Sequence, residues 1–382
     1  GDILGAGLIQ AMRRDLPDTD VWGIGGDRMA AAGAMLEYHV DDLGVTGFTE
    51  VAMKLPQIIR VLRRITMLAQ NRRPDAVVLI DYPDFNLRLA RRLKKAGLTV
   101  VYYVSPQLWA WRSGRVRIIR KFVDTLMVLF PFEVEWYRRH GVPAEFVGHP
   151  VVDRVRRIPD TAVCRRNLGI GSEEFLIALL PGSRMNEVGR TLPVMIEAHD
   201  RLLADTGGET PDGRPIRFLM PLAETVPEHR LPINVKVRDL PLETVEGRTL
   251  EVLRAADCAW VTSGTASLET ALLHTPQLVV YKTSPFTFML ARHLVKIDYI
   301  SIANLVMDTP VATELIQDDC TPDNLVTETR QWMDHPGLLA DNRRRLADLD
   351  RLFGETGASD RAAQVLCQVL NRNRSQHEAS RQ

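Results

Sequence analysis

The sequence predicts an α/β protein whose two halves each contain a doubly wound parallel sheet. Short apolar runs alternate with amphipathic runs along the chain, which is the pattern of strands connected by crossover helices. This pattern breaks off in an Arg-rich stretch at residues 151–171 and then starts again. A chain of 382 residues is also long enough for two domains. We therefore expect domains at residues 1–155 and 172–355, followed by a helical tail at residues 356–382.

In the first half, apolar runs predict five strands, at residues 21–26, 74–81, 98–104, 125–130 and 144–147. The second of these is apolar on both faces, as buried parallel strands are. Helices are predicted at residues 4–14, 87–95, 115–121 and 133–140. A further apolar run at residues 45–51 precedes a helix that Pro56 is expected to open, since proline is favoured in a first helical turn.

In the second half, strands are predicted at residues 175–180, 216–220, 233–237, 258–261 and 278–281. Helices are predicted after residue 184 and at residues 266–273, 286–295 and 322–370, and a polar loop at residues 207–215. Ligands of doubly wound sheets bind at the carboxyl ends of the strands. The segments that follow the strands are therefore the first candidates for a site.

The composition excludes several classes of protein. Lys plus Arg and Asp plus Glu both number 48, so no excess of positive charge indicates a nucleic-acid partner. The four cysteines are far apart, which predicts a reduced cytosolic protein without a structural zinc site. No apolar run is long enough for a transmembrane helix and no signal peptide is visible, so any membrane contact is expected to be peripheral.

A strand-to-helix turn at residues 261–271 is the first candidate site. Ser263, Gly264 and Thr265 suit a tight turn that directs the N–H groups of a helix N-terminus at a phosphate. Glu269, one turn into the helix, is placed to accept hydrogen bonds from ribose hydroxyls. The alternative is an ordinary turn with Thr265 as the N-cap.

A second turn, at residues 181–184, supports a nucleotide site in the same half. Gly182 and Ser183 allow a close approach of the backbone to an anion, and Arg184 offers a forked donor for a pyrophosphate. Asn304 is the last residue of a third candidate segment, residues 301–304. The half lacks the Lys-Ser/Thr pair of a Walker A motif and the full GxGxxG pattern of a dehydrogenase, which argues against ATP hydrolysis and hydride transfer.

In the first half, the polar residues that follow strands are candidates for the other substrate. Asp81 closes an apolar strand, where desolvation would raise its pKa and suit it to act as a general base. Asp84 is an equally good candidate for the N-cap of the next helix. The remaining candidates are Ser105, Gln107, Trp109, Arg112 and His149. Trp109 and Trp111 fit core packing as well as a sugar or acyl platform, and His149 either meets a phosphate or is structural.

Several of these segments together carry a family resemblance. They are residues 1–6, 80–86, 103–111, 180–184, 263–269 and 296–304, and the Ser-Pro-x-x-Trp-Ala-Trp segment is the most specific. The chain resembles the lipid-A-disaccharide synthases over nearly its whole length. The resemblance implies a GT-B fold, in which two Rossmann-like domains face each other across a cleft. The family's N-terminal Gly-Glu-(Ala/Thr)-Ser-Gly-Asp loop corresponds here only to Gly1-Asp2, so the sequence looks truncated at a strand-loop-helix junction.

The resemblance also implies an activity. It is an inverting, metal-independent transfer of diacylglucosamine from a UDP donor to diacylglucosamine 1-phosphate, without a cofactor, which gives a β-1,6-linked disaccharide of lipid A and UDP. Asp81 matches the family's proposed base, Arg184, Glu269 and Asn304 match its UDP-side residues, and Asp2 joins the acceptor-side candidates. The alternatives are another UDP-sugar enzyme of this fold, such as a 2-epimerase or an undecaprenyl-linked transferase, or a non-catalytic nucleotide-sugar-binding protein.

Acylated substrates imply a peripheral position at the inner membrane. An apolar stripe flanked by arginines suits such an interface, although a core helix with a basic edge is the alternative. It begins with Val45, Phe48 and Val51 and continues with Ile58, Ile59, Leu62 and Ile65, beside Arg60, Arg63 and Arg64. A homodimer is possible.

Overall fold

The computed structural model describes residues 1–42, 48–222, 242–285, 288–289 and 298–379, except for the side chains of residues 48–54 and 376–379. The predicted strand at residues 233–237, most of the predicted helix at residues 286–295 and part of the run at residues 45–51 lie outside these ranges. The chain divides into two compact units. The first comprises residues 1–150 and 356–382, and the second comprises residues 151–355.

Helices and strands alternate through both units, as the sequence pattern predicts. Up to residue 150 the elements are α1 (Asp2–Asp15), β1 (Trp22–Gly25), α2 (Asp27–Ala31), β2 (Met35–His39), α3 (Phe48–Arg72), β3 (Val77–Ile80), α4 (Pro83–Lys95), β4 (Val100–Tyr103), α5 (Val116–Phe122), β5 (Thr125–Val128), α6 (Pro131–Arg139) and β6 (Ala144–Phe146). They continue with α7 (Pro150–Val155), α8 (Thr161–Asn167), β7 (Phe175–Leu180), α9 (Met185–Thr206), β8 (Ile216–Leu222), β9 (Glu243–Glu246), α10 (Thr249–Ala255), β10 (Cys258–Thr262), α11 (Thr265–Leu272), β11 (Gln277–Tyr281), α12 (Ile302–Met307), β12 (Thr313–Ile316), α13 (Pro322–Asp334), α14 (Pro336–Ala347), α15 (Leu349–Phe353) and α16 (Ala358–Ala379).

The first unit contains a parallel sheet in the order β3-β4-β5-β6, and β1 and β2 form a separate parallel pair. The carboxyl ends of β3, β4 and β5 lie side by side, because Ile80 pairs with Tyr103 and Tyr103 pairs with Met127. β4 is fully buried. β3 lies at the end of this sheet and packs on both faces as predicted, with Val77 and Leu79 against one core cluster and Val78 and Ile80 against another, although only Leu79 is fully buried.

The last helix belongs to the first unit instead of forming a tail of its own. Ala362, Leu366 and Val369 of α16 share a core cluster with Leu8 of α1 and Val101 of β4. This packing explains the apolar positions along a helix that the sequence marks mainly as polar. The units divide at residue 356, but the segment from there on is part of the first unit, which was not predicted because helical periodicity gives no information about which sheet a helix covers.

The second unit has six parallel strands in the order β12-β11-β10-β7-β8-β9. Chain order reverses between β7 and β10, which are paired up to Leu180 and Val261. Such a switch point opens a crevice at the carboxyl ends of the two central strands, where doubly wound sheets bind ligands. Residues 156–171, predicted as a link, lie in this unit, where Asp160 caps α8 by accepting a hydrogen bond from Val163 N at 2.9 Å.

Helix α3 differs from its prediction at its start. It begins at Phe48, and Pro56 lies inside it instead of opening it. Two residues of the predicted stripe, Leu62 and Ile65, are buried in the core of the first unit, with Ile58 packed against that core. The alternative of a core helix with a basic edge is therefore correct for Ile58, Leu62 and Ile65. The side chain of Phe48 lies outside the described set.

Candidate active site

The turn between β3 and α4 presents Asp81, the predicted base. Asp81 and Tyr82 both have left-handed backbone angles, with φ of 48° and 42°. Each non-glycine residue in this region is strained by about 1–2 kcal/mol, and such strain persists only where the surroundings hold it. The turn leaves the Asp81 side chain exposed at the carboxyl end of the strand. We expected a desolvated carboxylate here, and that expectation was wrong, because the strained turn carries the side chain away from the buried strand.

Two side chains hold this turn through the backbone carbonyl of Asp81. The Tyr102 hydroxyl donates a hydrogen bond to this oxygen at 2.8 Å, and Asn86 Nδ2 donates another at 2.7 Å. Asn86 Nδ2 also donates to Ile80 O at 3.0 Å. Tyr102 and Asn86 are both buried, so the packed interior of the unit fixes the backbone from which the carboxylate projects.

Asp84 does not cap the helix, contrary to one of our expectations. The N-cap of α4 is Tyr82, and no side chain caps it. The Asp84 carboxylate instead accepts a hydrogen bond from Arg115 Nη2 at 2.7 Å, and Arg112 Nη1 lies 3.6 Å from the same oxygen. These contacts join the first turn of α4 to the segment that precedes α5.

A buried carboxylate holds the segment that follows β4. Glu133 Oε1 accepts hydrogen bonds from the Ser105 hydroxyl at 2.5 Å and from Trp109 Nε1 at 3.1 Å. Its other oxygen, Oε2, accepts from Leu129 N at 3.2 Å and from Phe130 N at 3.0 Å. Burial raises the pKa of Glu133 to about 7, although all four donors act in the opposite direction. Ser105 and Trp109 thus serve first to build this loop.

The other candidates after β4 lie closer to the solvent. Gln107 is exposed, and Trp111 has 41% of its surface exposed. The Arg112 guanidinium stacks over the Trp111 ring at 4.3 Å from its centroid. Trp109 is half-buried and packs edge-on against Phe132, with ring centroids 5.1 Å apart. Of the two tryptophans, Trp111 therefore has the surface that a sugar or acyl chain can reach.

Two further candidates have structural surroundings. His149 packs against Phe130, with ring centroids 5.3 Å apart, and burial lowers the pKa of its ring to about 4. It is neutral at pH 7, so the arrangement does not support a cationic contact to phosphate. Asp2 accepts hydrogen bonds from the backbone N–H groups of Gly26, Arg28 and Met29, at 2.9, 3.1 and 3.0 Å. Despite partial burial these bonds lower the Asp2 pKa, and the carboxylate here caps α2 instead of facing an acceptor.

In the second unit, the turn between β10 and α11 has the predicted form. Gly264 has φ of 150° and ψ of −154°, a conformation essentially limited to glycine, and it is the N-cap of α11. The alternative with Thr265 as N-cap was wrong by one residue, since Thr265 begins the helix. Gly264 and Thr265 are exposed, so an anion can approach this helix N-terminus, where Gly264 N already donates to the Ser267 hydroxyl at 3.4 Å. The Ser263 hydroxyl donates to Ile300 O at 3.1 Å.

The turn after the neighbouring strand β7 is shaped by Glu187. A Cβ at Gly182, where φ is 122°, would lie 2.8 Å from Glu187 Cβ, so this position needs glycine. Glu187 also accepts hydrogen bonds from Ser183 N at 3.4 Å and from Arg184 Nη1 at 2.9 Å. The Arg184 side chain remains 81% exposed, which leaves most of its guanidinium open to a ligand.

Glu269 and Asn304 are both buried, with different consequences. Arg154 Nη1 donates to Glu269 Oε1 at 2.8 Å, and burial raises the Glu269 pKa while Arg154 opposes the rise. The Asn304 amide donates to Ala312 O at 2.8 Å and to Glu314 Oε1 at 2.9 Å. Its oxygen accepts from the N–H groups of residues 311 and 312. Asn304 therefore ties α12 to β12, and this arrangement does not support direct contact with a nucleotide.

Comparison with known proteins identifies the family. The family model described as lipid-A-disaccharide synthetase matches residues 1–344. The lipid-A-disaccharide synthases of Myxococcus xanthus and Syntrophus aciditrophicus are each 41% identical, over 97% and 98% of this chain and 95% and 96% of theirs. The chain belongs to the lipid-A-disaccharide synthase family. It is therefore a glycosyltransferase, and the resemblance drawn from the sequence is confirmed.

Solved structures agree with this family on the fold. UDP-GlcNAc 2-epimerase from Neisseria meningitidis matches with a TM-score of 0.61 over 95% of this chain and 96% of that chain, at 11% identity. The glycotransferase of kitacinnamycin matches with a TM-score of 0.59 over 95% and 94%, at 15% identity. At such low identity these neighbours show the fold alone. They confirm the predicted GT-B class for this member of the synthase family.

Four residues around the candidate site of this synthase-family member were not predicted. Glu133 had a sequence signal, since it is the third residue of a helix that begins with proline, a position where glutamate accepts from the N-terminal backbone. Tyr102 looked like an ordinary core residue of β4. Arg115 and Arg154 carried no signal, because their partners, Asp84 and Glu269, are distant in sequence and were not predicted to pair with arginine.

The described part of the chain contains neither a metal-binding cluster nor a helix suited to span a membrane. No group of three or more His, Cys, Asp and Glu side chains is placed to hold a metal ion there. None of the helices in those ranges combines the length and the apolar character that crossing a membrane requires.

Proposed function

We propose that the chain transfers 2,3-diacylglucosamine from its UDP derivative to 2,3-diacylglucosamine 1-phosphate. The product is the β-1,6-linked lipid A disaccharide 1-phosphate, and UDP is released. Membership of the lipid-A-disaccharide synthase family supports the reaction, and the near-complete coverage of the relatives supports its transfer to this chain. The 2-epimerases share the fold at 11% identity, which gives no support to the alternative activity.

The observation that carries this proposal is the strained presentation of Asp81. The acceptor's 6-hydroxyl is a weak nucleophile, so a carboxylate must take its proton as the new bond forms. Asp81 is exposed at the carboxyl end of β3 on a left-handed turn that Tyr102 and Asn86 hold. In the proposed step, the 6-oxygen attacks the anomeric carbon of the donor and Asp81 accepts the proton. The bond from that carbon to the UDP oxygen breaks with inversion.

The second unit supplies groups for the departing UDP. The exposed N-terminus of α11 at Gly264 offers backbone N–H groups and the positive end of a helix dipole. Arg184, exposed after β7, adds a guanidinium group that suits a pyrophosphate. Stabilised in this way, UDP leaves without a general acid. We assign Glu269 to the ribose hydroxyls, with Arg154 holding its carboxylate.

The experiment that tests this function measures UDP release with the acylated donor and acceptor. We expect turnover with the acylated donor and none with UDP-N-acetylglucosamine. The Asp81→Asn variant should keep its fold and its UDP affinity but lose about 10²–10⁴-fold in kcat, the size of a general-base contribution. Near wild-type turnover by Asp81→Asn at saturating acceptor would place the base elsewhere. Equal UDP release from both donors would instead contradict the proposed substrate.

Acylated substrates require a position at the cytoplasmic surface of the inner membrane, and the first half of α3 is the proposed contact. Leu55 is 42% exposed, Ile59 is half-buried, and Arg60 and Arg63 beside them are exposed. These four residues and Pro56 line one depression on the surface. Apolar side chains beside arginines suit an interface with anionic lipid. The proposed contact thus excludes the core residues Leu62 and Ile65. A homodimer remains a prediction from the sequence.

Vesicle binding tests this contact. Leu55→Ser with Ile59→Ser should weaken binding to phosphatidylglycerol vesicles while the melting temperature stays close to that of the wild type. Met67→Ser is the matched control, because Met67 is 40% exposed farther along the same helix. An equal loss in the control, or no loss in either variant, would remove this surface from the proposal.

A further inference from the structure

Two guanidinium groups of the first unit converge on one carboxylate oxygen. Arg115 Nη2 lies 2.7 Å and Arg112 Nη1 3.6 Å from Asp84 Oδ1. All three side chains are accessible, with 48% of Arg112, 28% of Arg115 and 63% of Asp84 exposed. Ion pairs at such exposure add little to stability, so this cluster is poorly explained as a device that holds the fold together.

Contacts outside the cluster fix the positions of its two arginines. Arg112 stacks on the Trp111 ring at 4.3 Å, and its backbone has a left-handed φ of 55°. Arg115 is one residue before α5, whose Val116 and Ile119 are buried. The Arg112 guanidinium is therefore held by a contact other than its pair with Asp84, and the backbone of Arg115 is fixed by the packing of α5 and by its N–H, which donates to Arg112 O at 3.0 Å. Two planar donors held in this way match the several oxygens of a phosphate better than the single oxygen they share now.

The cluster is also close to the proposed base. Burial raises the pKa of the Tyr102 hydroxyl above its ordinary value, Asp81 and Asp84 add to the rise, and Arg115 opposes it. The groups that act on this hydroxyl thus include the carboxylate of Asp81 and two members of the cluster, Asp84 and Arg115. The hydroxyl itself donates to the Asp81 carbonyl at 2.8 Å. In glucosamine 1-phosphate, the phosphate is on C1 and the carbon of the 6-hydroxyl is on C5, and these two carbons flank the ring oxygen. A base for the 6-hydroxyl therefore requires an anion site no farther away than about the width of one sugar ring.

We propose that Arg112 and Arg115 bind the phosphate monoester of the acceptor, and that Asp84 occupies their donors until the phosphate displaces it. The proposal rests on the proposed function, because it assigns a subsite to that acceptor. Two arginines and one aspartate leave a net positive charge for the phosphate dianion. Asp84, the most exposed member, can turn to water when the phosphate arrives. Trp111 then presents its face beside the phosphate end of the sugar.

The test compares acceptors with and without the phosphate. Binding of 2,3-diacylglucosamine 1-phosphate and of 2,3-diacylglucosamine is measured by calorimetry in detergent micelles, and KM is measured where turnover occurs. Arg115→Ala and Arg112→Ala should each weaken binding of the phosphorylated acceptor by about 10- to 100-fold. This is the loss expected for one charge-assisted hydrogen bond. Binding of the acceptor without phosphate should change by less than about threefold, because no such bond is lost there.

Controls distinguish this site from its alternatives. Arg117→Ala removes an exposed arginine of α5 outside the cluster and should leave both acceptors unaffected. Equal weakening of both acceptors by the Arg112 and Arg115 variants would mean a packing role and overturn the proposal. A parallel loss of binding to phosphatidylglycerol vesicles would also overturn the proposal, because it would assign the arginines to lipid headgroups. An equal loss of UDP affinity would overturn it as well. Direct binding separates this outcome from failure of the proposed function, which would abolish turnover but not the phosphate preference.

Discussion

The segments that follow the strands of the two units have positive φ angles that are reached by different means. In the first unit, Asp81, Tyr82 and Val104 have φ between 42° and 68° although none is glycine. In the second unit, Gly182 and Gly264 have the positive φ angles at the corresponding turns. The first unit thus accepts strain in order to present side chains, and the second uses glycine in order to present backbone N–H groups. Proton transfer needs a carboxylate, whereas a pyrophosphate needs donors, so the difference matches the proposed chemistry.

The support beneath the turns differs in the same way. In the first unit, buried polar groups hold the strained segments, with Tyr102 and Asn86 under Asp81 and Glu133 under Ser105. In the second unit, the switch point between β7 and β10 places both glycine turns at adjacent strand ends. Substitutions of the buried supports should therefore disturb the first unit more than glycine or surface substitutions disturb the second.

The largest expected effect is that of Glu133→Gln. An amide in this position can still accept from Ser105 and Trp109, but its nitrogen faces the N–H groups of Leu129 and Phe130. Two buried donors without acceptors cost about 3 kcal/mol in the free energy of unfolding. Chemical denaturation measures this loss, and the acceptor KM should rise with it. Glu135→Gln is the control, because Glu135 is exposed on the same helix. Equal stability of both variants would show that Glu133 does not support the turn.

The same variant gives a pH dependence with a definite sign. The pKa of Glu133 is about 7 in the folded protein, above its ordinary value of 4.5. Between these values the folded state binds more protons than the unfolded state, so the contribution of Glu133 to stability falls as the pH rises. The stability lost in Glu133→Gln should therefore be larger at pH 5 than at pH 8, by about 1–3 kcal/mol. A loss that is constant with pH would mean that Glu133 titrates outside this range.

These supports mark the limit of what the sequence predicts. The fold followed from apolar runs, because buried parallel strands must be apolar. The strands β9 and β12 escaped prediction, since their sequences Glu-Thr-Val-Glu and Thr-Glu-Leu-Ile carry charges. The positions of Asp81 and Gly264 in turns after strands could be predicted, because strand ends and small residues are local signals. The pairs Arg115–Asp84 and Arg154–Glu269 form between distant segments, and residue spacing does not encode such contacts.

The next prediction concerns Arg184, the exposed arginine that follows β7 in the second unit. Arg184→Ala should weaken UDP binding by about 1.5–3 kcal/mol, the value of one charge-assisted contact. Because the Arg184 side chain is 81% exposed and pairs with Glu187 only three residues along the chain, thermal stability should change little. Titration of UDP into both proteins measures the difference, and Arg190→Ala, also exposed on α9, is the control. Unchanged UDP affinity would remove Arg184 from the site.

Glycine substitutions test whether the second unit needs glycine at its turns. Gly264→Ala forces a side chain into a conformation that only glycine adopts readily, which should cost about 1–3 kcal/mol in stability even though no atom lies within 4 Å of the added Cβ. Gly189→Ala makes the same chemical change inside α9, where alanine is favoured by about 1 kcal/mol. The midpoint of chemical denaturation should therefore fall in Gly264→Ala and rise in Gly189→Ala. A shift in the same direction for both would show that the turn is not held at Gly264.

The smallest expected effect is that of Asp84→Asn. Sequence reasoning made Asp84 a helix cap, and loss of a cap would cost about 1 kcal/mol or more. The structure gives the N-cap position to Tyr82 and pairs Asp84 with two arginines at 63% exposure, so the loss should stay below about 1 kcal/mol. At the same time the substitution leaves both guanidinium groups without their carboxylate. The KM for 2,3-diacylglucosamine 1-phosphate should then fall, while the KM for 2,3-diacylglucosamine stays constant. A marked loss of stability with an unchanged KM would return Asp84 to a purely structural role.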